Sequence, residues 1–328
     1  MINLIIKDGL GNQMFQYAFA RLLSEKHREQ GEHEGIQIVT QFIDSRQDEG
    51  NDARYMSLQH LRLNEDVTIM TAAEQPKAMK RFKWRTLMAS GITELIKWRL
   101  LRRYESTDTL AARRGKQGIY YPYGPYSEHP ITLSKRQDKY VFGFFQSIRN
   151  VAPIANILQN ELKVKTEPSD ANRKMMSEIS GTNAVCLHIR RGDFLNPRWK
   201  SLQICDFNYY NNAINIMLEK TENPVFYIFS NTSEDLKWIA ENYHFSQNYP
   251  GTTRPIEIHY VNLNNPDYEE LRLMYTCKHF IISNSTFSWW AAWLAENKDK
   301  IVCAPERWNL EYEDDYKIYD PTWIKVPR

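Results

Sequence analysis

From Ala184 to Cys303 the chain alternates short apolar runs with amphipathic ones. Strands are expected at 184–190, Val225–Ser230, Ile256–Val261, His279–Ser283 and Ile301–Cys303, with helices around 207–219, 233–242, 267–276 and 287–296. That alternation predicts a parallel sheet covered by helices on both faces. In open sheets of this kind, ligands bind in the crevice beyond the carboxyl ends of the strands. The chemistry should therefore be sought where strands stop.

One strand stops abruptly in charge. Residues 184–194 read A-V-C-L-H-I-R-R-G-D-F, an apolar strand ending in His188, Arg190, Arg191 and Asp193. Arginine carries a planar fork of donors that matches phosphate oxygens and stays charged at any cellular pH. The same residues would also serve as surface ion pairs. A second strand, Phe280–Ser283, runs into Asn284, Ser285, Thr286 and Ser288 and then an apolar helix. Free N–H groups and hydroxyls at a helix start suit a phosphate, and equally suit plain N-capping. Together the two strand ends outline an anion site with fixed dipoles and a cationic fork, sized for a diphosphate.

A third signal opens the chain. The strand Asn3–Lys7 leads into Gly9-Leu10-Gly11-Asn12-Gln13-Met14 and an apolar helix, the parts of a first nucleotide-binding βα unit. A nicotinamide-dependent oxidoreductase is one reading, although Met14 replaces the third fingerprint glycine and Asp44 stands about 33 residues after Gly11 where about 20 are expected. Asn12, Gln13 and Gln16 put amides on the first turns, suited either to sugar hydroxyls or, for Asn12, to helix capping. Val141–Gln146, V-F-G-F-F-Q, reads as another strand, and Asn150–Leu162 as a helix.

A length of 328 residues suits two domains, 1–165 and 166–304, joined at a charged stretch near Pro168 and followed by an aperiodic 305–328 tail packed back on the body. With 42 basic against 40 acidic residues, the chain has no field to recruit nucleic acid. The four cysteines form no C-x-x-C and no histidine pair has zinc spacing, so no metal site is expected. The opening M-I-N-L-I-I-K-D-G lacks the parts of a signal peptide, which predicts a cytoplasmic protein. Residues 76–104 are basic and amphipathic, with Gly91 between two helices. They could rest on an anionic membrane surface or pack as a solvated helical pair. The aromatic richness leaves a non-catalytic glycan-binding protein as a further reading.

Three stretches together, G-L-G-N-Q-M-F-Q-Y-A at 9–18, H-I-R-R-G-D at 188–193 and S-N-S-T-F-S-W-W-A-A-W-L at 283–294, resemble the signatures of the α-1,2-fucosyltransferases of glycosyltransferase family 11. Weaker echoes include G-F-F-Q-S at 143–147 and L-M-Y-T-C-K-H at 273–279. The resemblance implies an α/β, GT-B-like fold of two Rossmann-type domains facing a cleft. It implies metal-independent, inverting transfer of L-fucose from GDP-β-L-fucose to the 2-hydroxyl of a galactose, on an oligosaccharide or lipid-linked glycan. By position, Arg190 would grip the diphosphate, supported by His188, Arg191, Asn284, Ser285, Thr286, Ser288, Gly11 and Asn12. Glu270 would read guanine, and Gln13, Gln16 and Gln146 would meet the acceptor. Asp193 is the nearest candidate base, with an ion pair to an arginine as its other role. The F-S-D-D common in the family is F-S-N-T here, at 229–232.

Overall fold

In a computed structural model of the chain, the residues described are 1–45, 55–91, 107–122, 131–192, 197–245, 255–311 and 317–328. They form two compact units, Met1–Leu162 and Lys163–Arg328. Each unit is built on one parallel sheet.

The first sheet contains β1 (Ile2–Ile5), β2 (Ile36–Val39), β3 (Val67–Ile69), β4 (Ile119–Tyr120) and β5 (Lys139–Val141), in the order β3-β2-β1-β5-β4. Helix α1 (Leu10–Arg28) follows β1, and fifteen of its nineteen residues are buried. It is therefore a core helix rather than a surface one. Its last turn sets the cations Lys26 and Arg28 against the negative end of the helix dipole. Helix α2 (Gln75–Thr86) packs Ala78, Met79 and Phe82 against Ile5, Val39, Ile119 and Tyr140, and α3 (Thr107–Lys116) precedes β4.

The second sheet contains β6 (Asn183–His188), β7 (Pro224–Phe229), β8 (Glu257–Tyr260), β9 (His279–Ile281), β10 (Val302–Pro305) and β11 (Ile324–Val326), in the order β11-β10-β9-β6-β7-β8. The helices, after α4 (Ala155–Glu161) of the first unit, are α5 (Asp170–Ser180), α6 (Phe207–Lys220), α7 (Ser233–Asn242), α8 (Asp267–Thr276) and α9 (Thr286–Leu294). Ser169, Asp206, Thr232 and Ser285 cap α5, α6, α7 and α9, each side chain accepting a bond from a free N–H of the first turn. Val185, Leu187 and Ile189 face α6 and α7 in one core cluster with Tyr209, Ile214, Leu236 and Ile239.

Three expectations need correction. The V-F-G-F-F-Q strand stops at Val141. Gly143 lies at φ +158°, where an added Cβ would come within 2.7 Å of the Pro122 ring, and Phe145 is left-handed at φ +54°, so the chain turns out of the sheet there. The final residues are not an aperiodic tail throughout, because Ile324–Val326 pairs in parallel with β10 and completes the sheet edge. The Asn150–Leu162 helix is split into short pieces, with Pro153 starting a new turn. Residues 92–104 of the basic stretch lie outside the described residues.

Candidate functional site

The connections of the second sheet wind from β6 through β7 to β8 on one side and from β9 through β10 to β11 on the other. The reversal falls between β6 and β9, which pair in parallel with Leu187 beside Ile281. This is a topological switch point, where helix connections diverge and leave a crevice. The two segments singled out from the sequence are the ones that leave β6 and β9. His188 Nδ1 lies 2.9 Å from Ser283 Oγ and ties those strand ends together. Burial, and then the charge of Arg190, push the His188 pKa down to about 3, so the imidazole is neutral.

Side chains alternate along a strand, so consecutive residues at its end point to opposite faces. Val185, Leu187 and Ile189 take the α6/α7 face. His188 takes the other, its ring 6.2 Å from that of Phe287 in α9. Arg191 continues the first series. Its guanidinium carbon lies 3.3 Å from the ring centroid of Trp238 in α7, and its Nε is 3.3 Å from Asp235. Its backbone N–H donates to Asn231 Oδ1 at 3.2 Å. Arg190, half-buried, belongs to the His188 series, and its charge acts on His188. Arg191 is thus engaged by α7 and braces the turn, while the charge of Arg190 reaches His188. Gly192 at φ +38° packs on Asn231, where a Cβ would come within 3.2 Å of that side chain. Asp193 lies outside the described residues.

The turn after β9 divides in a similar way. Asn284 donates to Leu202 O at 2.9 Å and Trp308 O at 3.1 Å, and Ser288, fully buried, donates to Ser285 O at 3.2 Å. Both were expected at the ligand; the structure engages both in holding the loop. Ser285 Oγ accepts from Phe287 N at 3.3 Å as the α9 cap, and Thr286 is half-buried at the helix start. Glu270, on α8, accepts from Asn265 at 3.4 Å, and burial raises its pKa to about 7. It acts electrostatically on Cys186, which shares its strand series with His188. Glu270 is therefore on the same face of the sheet as His188.

In the first unit β1 and β5 are parallel neighbours in the sheet. Asn12 Oδ1 accepts from Gln146 Nε2 at 2.7 Å, joining the first turn of α1 to the loop that follows β5. Asp8 at φ +64° and Phe145 at φ +54° are both left-handed there. Such backbone outliers gather at functional sites. Gly11 is buried in the first turn of α1. Gln13 and Gln16, expected at the acceptor, are completely buried. Gln13 donates to Asp8 O at 2.8 Å and Tyr55 O at 2.7 Å and accepts from Ser57 N at 3.1 Å, whereas Gln16 exchanges two 3.0 Å bonds with the Lys7 backbone and prolongs β1. A buried amide must find partners, and here the backbone supplies them.

Sequence reasoning passed over Asn231, Asp235 and Trp238, whose signal was only that F-S-N-T follows the neighbouring strand. It also passed over Lys7, two residues beyond β1. The Lys7 ammonium lies 3.7 Å from the Phe144 ring centroid, and burial lowers its pKa. One group of metal-ligand types among the described residues, His27, Glu32 and Glu34, sits at the far end of α1, where Glu34 already pairs with Lys139 and the Met1 amine.

A family model described as glycosyl transferase family 11 matches residues 119–327. The chain belongs to glycosyltransferase family 11. It has the two parallel-sheet α/β units expected of such a transferase. The O-antigen biosynthesis glycosyltransferase WbnK of Escherichia coli is 27% identical over 334 aligned positions, covering 98% of this chain and 99% of that protein. The α-1,2-colitosyltransferase of Escherichia coli is 31% identical over 163 positions, 48% of this chain and 52% of that one. Human galactoside α-(1,2)-fucosyltransferase 1 is 31% identical over 146 positions, 44% of this chain and 36% of that one. This family 11 protein is a fucosyltransferase-like glycosyltransferase, which sets aside the nicotinamide reading of Gly9 and Gly11. Among its described residues, no helix is long and apolar enough to cross a membrane.

Proposed function

We propose that this glycosyltransferase moves L-fucose from GDP-β-L-fucose to the 2-hydroxyl of a galactose, with inversion to an α-1,2 linkage and without a metal. The observation that carries the reading is the His188–Ser283 tie between β6 and β9, which brings the Arg190 strand end beside the start of α9 at the switch point. Departure of GDP leaves negative charge on the β-phosphate and positive charge on the sugar ring. Arg190 and the N–H groups at the α9 start stabilise the phosphate without reorganising, the condition under which such groups act most strongly. Thr286 and the capped Ser285 complete that end, and Glu270 reads guanine, because a carboxylate can accept from both N1–H and the 2-amino group. The acceptor oxygen attacks C1 from the opposite face and its proton passes to a base. Asp193 is the first candidate for that base. Asn12 and Gln146, held together beyond β1 and β5, are the proposed acceptor-side amides, with Gln13 and Gln16 supporting their loops. The acceptor is a galactose-terminated oligosaccharide or lipid-linked glycan, and the site of action is the cytoplasm.

The test is incubation of labelled GDP-fucose with a panel of β-galactosides, followed by linkage analysis. GDP release only when a galactoside is present, undiminished by EDTA, and an α-1,2 product support the reading. A different linkage, or full dependence on a divalent ion, overturns it. GDP-colitose belongs in the same assay, since one relative bears that sugar in its name. A strong preference for it would reassign the donor while keeping the site.

A further inference from the structure

Helix α2 and the turn after it, Gln75–Gly91, carry five basic side chains and no acidic one. The helix buries Gln75, Ala78, Met79 and Phe82. At about 100° per residue, Lys77, Lys80 and Trp84 fall on the opposite side, and Leu87 and Met88 follow in the π-helical turn Leu87–Gly91. That side is open: Trp84 is 62% exposed, Leu87 51% and Met88 48%. The apolar residues there are not the ones that hold the helix to its unit. Lys77, Lys80 and Lys83 are exposed and make no ion pair among the described residues, whereas Arg81 pairs with Asp138 at 3.5 Å and Arg85 donates to Asp138 O and Gln117 O. One outward face thus presents an indole and two flexible apolar side chains beside a row of uncommitted ammonium groups.

We propose that this face docks on an anionic lipid bilayer, with Trp84, Leu87 and Met88 entering the headgroup boundary and Lys77, Lys80 and Lys83 meeting lipid phosphates. Charge complementarity selects that occupant. Large apolar side chains gain by leaving water, indoles favour the membrane interface, and lysines nearby are attracted to the negative surface. An anionic polymer would draw on the lysines but leave the three apolar side chains in water.

The experiment is co-sedimentation of the full chain with vesicles of phosphatidylcholine alone or mixed equally with phosphatidylglycerol. Binding to the mixed vesicles, lost at high salt and weak on phosphatidylcholine, is the expected result. Joint Lys77→Gln, Lys80→Gln and Lys83→Gln substitution should weaken binding about 100-fold, roughly fivefold for each charge. The variant Trp84→Ser, Leu87→Ser, Met88→Ser should lose it as well. Both sets point away from the core, and an unchanged circular dichroism spectrum and Tm confirm folding. Failure of the wild type to sediment, or sedimentation of both variants like the wild type, overturns the proposal. So does a concentration-dependent dimer that the serine variant dissociates, which would make a second copy the occupant.

Discussion

His188 Nδ1 and Ser283 Oγ meet at 2.9 Å across the seam where the second sheet reverses its winding. The contact is buried and the imidazole is kept neutral, its pKa pushed down to about 3. In the unfolded chain it would titrate near 6.5. The unfolded state therefore binds more protons between those values, and stability is lost as pH falls from about 6.5 toward 3. His188→Gln should remove about 2 kcal/mol of the wild-type loss between pH 7 and pH 5, measured by urea unfolding. An unchanged pH slope in the variant would show that His188 does not titrate as described.

The two arginines of the same motif should behave differently. Arg190→Ala should lower kcat/KM at least about 100-fold, the scale for removing one stabiliser of developing charge, with little effect on Tm. Arg191→Ala should mainly lower stability, because Trp238 loses a desolvated cation–π partner worth about 2 kcal/mol. A double-mutant cycle between Arg191 and Trp238 that shows no coupling in unfolding free energy would contradict the brace. Equal losses of activity from both arginine variants would contradict the division of roles.

Gly192→Ala tests the same turn from the backbone. A left-handed residue pressed on Asn231 should lose about 1 kcal/mol or more of stability on gaining a Cβ. Activity should fall with it, since Arg190 is two residues away. An alanine variant with wild-type Tm and turnover would mean that the turn adapts freely.

Glu270 is held protonated to higher pH than a free carboxyl, with a pKa of about 7 against an ordinary 4.5. Here the folded state binds more protons between the two values, so stability is present at low pH and falls as pH rises from about 4.5 to 7. Glu270→Gln should be more stable than wild type at pH 8 by about 3 kcal/mol and equal to it near pH 4. GDP affinity in the wild type should rise with pH through about 7, as the acceptor carboxylate forms, and drop at least about tenfold in the variant. Calorimetry that finds GDP binding independent of pH and of this substitution would remove Glu270 from the donor site.

In the first unit, amide position rather than amide chemistry separates roles. Gln13→Ala strips partners from several backbone groups and should cost about 2–4 kcal/mol of stability. Asn12→Ala should leave Tm nearly unchanged and raise the acceptor KM. The reverse pattern would exchange their assignments.

Much of the second unit was legible in the chain itself. Helices 233–242 and 267–276 were expected at the bounds observed, because apolar period is a local property that neighbours three or four positions away already impose. Sequence could also name Arg190, Arg191, Gln13 and Asn12 as polar groups at element ends, but not sort them. Sorting required knowing which strand lies beside which, and that is settled by packing between residues far apart in the chain: Trp238 against Arg191, Tyr55 over Gln13, Ser283 against His188. A buried polar group is defined by the partner that satisfies it. That partner is a property of the fold, and only the tertiary structure decided which side chains hold the loops.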